Sequence, residues 1–340
     1  MNGLLKKSNG FAVAAFTASL LSLVHGSAYA DECPSEDFSQ FLPAFSASAE
    51  IQQRLTAMTV KSLVLKPAGE SGNFEPQTTG VKSSTLAFPL MAPVATGKTE
   101  GVEVEAVDDS HFNVVDKRAG NSNIKIFNFS RQACWVLEGV EDWSISEKNL
   151  VVASTPTMNT SENFCYQRAQ AFAGLGGLEQ YRLTGELFVA ALENYECAAA
   201  SGDPQASLSA AGLSLSGMAP QLETEKVEAL FKAAATTLAD GAASLSTFYC
   251  YGNNPVPEGP CRHPEQAEKE LIRAASMGSV DAMNYLGYSF EEGRLVTKDM
   301  SRALACYRLA ADKGNDTAAG NLKRLNAQDA AASTKTSYCY

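Results

Sequence analysis

The chain has 340 residues, of which 27 are Lys or Arg and 38 are Asp or Glu, giving a formal net charge of −11. An acidic chain without basic clusters is a poor partner for nucleic acid or anionic lipid, so no nucleic acid is expected among its ligands. The hydrophobic fraction of 45% is ordinary for a globular protein, and the length favours two domains.

Residues 1–30 read as a signal peptide. Lys6 and Lys7 supply the positive start, "FAVAAFTASLLSLV" a short apolar run, and "AYA" at 28–30 the small residues that precede cleavage. "ADEC" puts Asp31 and Glu32 where a lipobox needs small residues, so Cys33 is not a lipidation site. Cleavage removes two lysines and no acidic residue, taking the net charge from −11 to −13. No later apolar run is long enough to span a bilayer, so no membrane insertion is expected after cleavage. A periplasmic or secreted location follows.

The next segment, 31–150, reads as an α+β domain. "EDFSQFLPAFSASAEIQQRLTAM" spaces Phe38, Phe41, Leu42, Phe45, Ile51, Leu55 and Met58 at helical intervals, interrupted by Pro43 and "SAS". That predicts two short helices. From Gly101 strand formers take over. "HFNVVDK", "NIKIFNF" and "CWVLEGVEDWSI" are separated by turn signals and predict antiparallel strands of a curved sheet. Trp135 and Trp143 in this region are expected in the core. The polar stretch 151–163 is expected to be a linker.

From 164 to 326 alanine dominates, and the expectation is a helical repeat domain followed by a flexible tail over 327–340. Ala274, Ala275, Gly278, Ala282 and Leu286 recur 36 residues later as Ala310, Ala311, Gly314, Ala318 and Leu322. A worn copy runs from Ala198 through Gly202 and Ala206 to Gly217. A fixed period of this size means stacked helical hairpins, each unable to bury its apolar face alone. Ala303, Tyr307, Ala310, Ala311 and Gly314 share one helical face. The alanines would allow close helix approach, and Gly314 would end its helix in a left-handed conformation. Asn315, Asp203, Ser279 and His263 stand where helix caps belong. "GLGG" at 174–177 lacks the spacing of a dinucleotide loop and is expected to be a helix break.

The chemistry-bearing residues are sparse. After cleavage only His111 and His263 remain among histidines, which argues against most histidine-built metal and nucleophilic sites. His111 beside Asp108 and Asp109 offers a general base, but a strand residue next to a turn fits the pattern better. Cys250, Cys261 and His263 match no strong zinc spacing. All eight cysteines lie after the signal, and an even number in an exported chain suggests disulfides. Cys250 and Cys261 bracket the turn-rich "YGNNPVPEGP" and are expected to bond. Cys306 lies on an inner helical face, and Cys339 in "SYCY" is within reach of it as a possible bridge. No catalytic, cofactor or metal-ligating residue is assigned, and no cofactor is expected.

"GRLVTKDMSRALACYRLAADKGNDTAAGNL" resembles a Sel1-like repeat, a relative of the tetratricopeptide repeat, through Gly293, Val296, Asp299, Ala303, Tyr307, Ala310, Ala311 and Gly314. The resemblance extends over 198–325. It implies an all-α right-handed solenoid whose concave face binds proteins. The segment before it is similar to small exported bacterial domains of unknown function, which implies a cone-shaped α+β fold of the nuclear-transport-factor-2 type. The reading that follows is an exported, non-enzymatic scaffold with a protein or peptide partner. The alternatives are a cell-wall-active or β-lactam-related enzyme of the cysteine-rich Sel1-like type, or a small-ligand sensor acting through the N-terminal domain. The regular cysteine pair per repeat of that enzyme-linked type is absent here, and no serine and lysine at "SxxK" spacing stand out.

Overall fold

A computed structural model describes residues 33–69, 73–150, 160–254, 259–328 and 338–340. The expected signal peptide and most of the expected linker lie outside the described residues. Two short helices open the fold. In α1 (Phe38–Ala47) the Asp37 side chain accepts from the Ser39 amide, and in α2 (Ala49–Arg54) Ser48 caps by accepting from Ile51. The expected interruption falls in "SAS" and not at Pro43: α1 runs through Pro43, and the chain turns at Ser48, whose side chain starts the next helix.

Six strands follow: β1 (Thr56–Ala68), β2 (Asn73–Lys82), β3 (Val102–Asp108), β4 (His111–Asp116), β5 (Lys125–Arg131) and β6 (Trp135–Asp142). Their order across the sheet is β2-β1-β6-β5-β4-β3. The β4, β5 and β6 strands pair antiparallel, whereas β1 and β6 run parallel, so the whole sheet is mixed. Side chains alternate across it. Val114, Phe127, Phe129, Trp135 and Leu137 pack with Phe38, Phe41 and Phe45 on one face. Val115, Ile124, Ile126 and Trp143 pack on the other face with Phe172, Leu187 and Ala190 of the next two helices. The middle of the sheet, β4 to β6, is therefore covered on both sides, and both tryptophans lie in cores.

Gln52 organises the loop over the first core. It is fully buried. Its Nε2 donates to Ser46 O (3.1 Å) and Met91 O (2.9 Å), and its Oε1 accepts from the amides of Leu90 (2.8 Å) and Met91 (3.0 Å). Gln52→Leu keeps the volume but strands these groups, so it is expected to cost about 2–3 kcal/mol. Denaturant unfolding followed by tryptophan fluorescence checks this, since the two tryptophans of the chain stand at the start of β6 and just past its end.

The rest is helical: α3 (Thr160–Gly177), α4 (Thr184–Ala199), α5 (Pro204–Leu215), α6 (Thr224–Ala235), α7 (Ala239–Tyr251), α8 (Pro264–Ser276), α9 (Val280–Glu292), α10 (Met300–Asp312) and α11 (Asp316–Gln328). Each helix from α4 packs on the next in the array. The "GLGG" glycines stand where a helix ends and not at a break within one. They form the last turn of α3, where Gly176 lets the Phe188 ring of α4 approach to 3.1 Å from where a Cβ would stand. The first hairpin is also fixed to the sheet. Arg168 Nε donates to Ile145 O (3.0 Å), Asn194 Nδ2 donates to Ser122 Oγ (2.6 Å), and Arg182 pairs with Glu105.

Candidate functional site

The repeat signature works as a joint. In α8 the Gly278 amide donates to Ala275 O and the Ser279 amide to Ala274 O, both at 3.0 Å. In α10 the Gly314 amide donates to Ala311 O (2.9 Å) and the Asn315 amide to Ala310 O (3.0 Å). These are matching Schellman ends, with Gly278 at φ 103° and Gly314 at φ 92°. The spacing of two alanines, two residues and a glycine thus places the two carbonyls that the turn satisfies. Ala274, Ala275, Ala303, Tyr307 and Ala310 are fully buried, and Ala311 is half-buried at the last hairpin described. Ser279, Asp203 and Asn315 cap their helices through side-chain oxygens. His263 does not. It occupies the N-cap position of α8 without a side-chain cap bond, and Pro264 after it has no amide hydrogen to satisfy.

Inside this joint lies a polar clamp. The Tyr307 hydroxyl donates to Glu291 Oε2 (2.8 Å), and Arg324 reaches the same carboxylate through Nη1 (2.6 Å) and Nη2 (2.7 Å). Gly287 makes room for the ring: a Cβ there would sit 2.7 Å from Tyr307 Cδ1. Arg324 above all holds the Glu291 carboxyl below its ordinary value of 4.5, against the opposing effect of burial. A lowered folded-state pKa stabilises above the unfolded value and is lost as pH falls through the folded one. Arg324→Met is therefore expected to cost about 1–2 kcal/mol at neutral pH. The deficit should shrink as pH falls below 4.5 and on through the lower folded-state value, where Glu291 protonates and no longer needs the cation. Thermal melts at a series of pH values test this.

The four disulfides join Cys33 to Cys134, Cys165 to Cys197, Cys250 to Cys261, and Cys306 to Cys339. Cys250 and Cys261 are thus bonded to each other and leave no thiolates for a metal. Cys339 is tied to α10, and its carbonyl accepts from Arg302 Nη2 (2.9 Å). His111 lies at the β3–β4 turn with Nδ1 2.9 Å from the Asp108 carboxylate. Asp108 is held at about 2 by the Ser110 amide and hydroxyl and by His111. Both side chains are about half exposed, and all the contacts are local to one turn, which fits the turn reading of His111.

One feature with the character of a binding surface in the helical half is not singled out by the sequence. The insertion closed by Cys250–Cys261 borders a cavity of about 450 Å³ lined by Tyr251, Tyr285, Arg294 and Leu295, with Pro260 and Cys261 on the insertion side. The Tyr285 and Tyr288 rings stack at 6.2 Å, and the Arg294 guanidinium lies 5.2 Å from the Tyr288 ring centre. Burial holds the Tyr285 hydroxyl above its usual range, with Tyr251 adding to the effect, although the residue is 36% exposed. Rigid aromatic rings beside an arginine are the residue types that dominate protein interfaces. A signal was present: Tyr285 and Tyr288, three apart in one helix, must lie on adjacent faces.

A family model described as the Sel1 repeat matches residues 184–203 and 280–315. Two stretches of the helical half are thus similar to Sel1 repeats. The matched residues take in α4 and the α9–α10 joint, including Gly293, Asp299 and the Ala310–Gly314 turn. No curated protein matches the chain. Among solved structures, a protective antigen of uropathogenic Escherichia coli, described as displaying an SLR fold, is 22% identical with a TM-score of 0.39. The alignment covers 50% of this chain and 37% of that one, so the chain spans well under half of the antigen. A Sel1 repeat protein from Oxalobacter formigenes is 27% identical over 39% of this chain and 97% of its own, with a TM-score of 0.33. A Klebsiella pneumoniae protein also described as a Sel1 repeat protein is 17% identical over 49% of this chain and 84% of its own, with a TM-score of 0.28. Among the described residues no helix is long and apolar enough to cross a membrane.

Proposed function

We propose that the protein is an exported, non-enzymatic scaffold that binds a protein or peptide through its Sel1-repeat half. The concave face of the stack supplies the area, and the pocket of Tyr251, Tyr285 and Arg294 supplies an anchor. That pocket is the observation that carries the reading, because it sets Tyr285, stacked on Tyr288 behind it, beside an exposed arginine on a frame braced by a disulfide. Such a site needs little ordering on binding. Four disulfides support an oxidising compartment, in keeping with the signal-like residues 1–30.

The test is cross-linking capture from the cell envelope with the native chain and with a Tyr285→Ala, Arg294→Ala variant. The expected result is a partner retained by the native chain and lost by the variant, with unchanged melting of the variant. The captured chain should have a mass lacking residues 1–30. Equal capture by both chains, or no specific capture by either, would contradict the binding claim, and a full-length mass would contradict export.

A further inference from the structure

The sheet half holds a second surface, independent of the repeats. A cleft of about 730 Å³ runs between α1, the loop over 94–99 and the β3–β4 hairpin. Its floor is aromatic. Phe38 stacks on Phe112 at 4.3 Å, and Trp135 meets both rings edge-on at 5.1 and 5.2 Å. One wall is β3, through Val102, Val104 and Ala106, which alternate onto the same face.

β3 is the last strand of the sheet, and among the described residues its outer edge meets no other strand. The Lys117 amide donates to Gly101 O, which sets the parity of the ladder. Alternation then turns the backbone groups of Glu103 and Glu105 toward β4, and those of Val104 and Ala106 outward. The strand is exposed from Glu103 to Asp108, and Val104 is 49% exposed. Behind it, Glu103 is held by Lys117 (2.8 Å) and Glu105 by Arg182, so the edge is braced from the opposite face.

The two ends of the cleft differ in charge. Lys98 lines the end where β3 begins and has no ion partner among the described residues. Asp37, Asp108 and Asp109 line the end where β3 finishes, and Arg131 there is engaged by Glu36 at 3.0 Å. Outward-facing backbone groups beside an apolar trough call for another chain in extended form, not for a compact molecule. A second copy of β3 is disfavoured, because antiparallel self-pairing would set Glu103 and Glu105 of both copies on one face.

We propose that β3 and α1 form a groove for an extended peptide that adds antiparallel to β3. Its alternate side chains are apolar and enter the cleft. A basic residue at its amino end faces Asp108 and Asp109, and an acidic residue at its carboxyl end faces Lys98.

The test titrates the full oxidised chain with the capped peptide Lys-Thr-Val-Thr-Val-Thr-Val-Thr-Glu, whose charged ends share the face of its valines, and follows amide exchange by NMR. A control peptide has the same composition with its three valines consecutive. The expected result is slowed exchange at Val104 and Ala106, with the control weaker by about tenfold or more. Val104→Pro removes an outward amide that the ladder does not use, a place where an edge strand accepts proline. It should weaken binding by about tenfold or more while the tryptophan-monitored melt is kept. If that variant does not fold, Val104→Glu, which changes only an exposed side chain at the cleft, should weaken binding likewise. No protection of β3 at millimolar peptide, equal binding by a folded variant, or protection that follows self-association of the chain would each overturn the proposal.

Discussion

Replacing Cys33 and Cys134 together with serine should destabilise the sheet half more than the loss of any other disulfide. The bond spans 101 residues, against 32, 11 and 33 for the other three. In the chain-entropy account, a loop of about 100 residues is worth about 4–5 kcal/mol and a loop near ten residues on the order of 3. The bond fastens the start of α1 to the turn before β6, so the loop holds both helices and five strands. Two contacts persist without it: Trp135 Nε1 donates to Glu36 O (2.8 Å), and Arg131 pairs with Glu36. They keep the fold's register but do not restrict the unfolded chain. The expected result is a fall of about 4 kcal/mol in denaturant unfolding followed by tryptophan fluorescence. The Cys250 and Cys261 double serine variant should leave that signal almost unmoved, because its loop lies far from both tryptophans. Equal losses for the two variants would show that the long loop is not what the bond restrains.

How much of this was legible in the sequence depended on whether the signal was local. β4, β5 and β6 are short runs of β-branched and aromatic residues between turns, and they appear where that pattern lies. β1 and β2 escaped. Pro67, Pro76 and Gly80 interrupt their pattern, and β2 is an edge strand, where proline is tolerated. The parallel pairing of β1 with β6 joins residues 78 to 81 apart, and no local signal announces it. Cys250–Cys261 could be read because a turn-rich segment lies between the partners. Cys33–Cys134 and Cys165–Cys197 could not, since their proximity exists only after the sheet and the α3–α4 hairpin have formed. The repeat was the most legible element, because its spacing encodes both a helix end and a close contact. Even there, burial is not uniform. Ala311 is only half-buried where its counterpart Ala275 is fully covered.

That difference sharpens the most direct test of the claim that the helical half is a stack of equivalent joints. Ala274 and Ala310 are fully buried at matching places 36 residues apart. A leucine at either must push apart helices that the small side chain lets approach, since close-packed interiors have no spare volume. Ala310→Leu and Ala274→Leu should each cost about 3 kcal/mol, the upper part of the overpacking range. Ala311→Leu should cost less, about 1 kcal/mol, because its side chain is partly open. Ala305 on α10 is half-buried, so the control is Ala319, which is exposed on α11. Ala319→Leu should change stability by no more than about 0.5 kcal/mol. The measurement is the unfolding free energy of the four variants, followed by far-ultraviolet circular dichroism. Large and similar losses for Ala274→Leu and Ala310→Leu, with almost none for Ala319→Leu, are the predicted result. Equal small shifts for all four would contradict the stack.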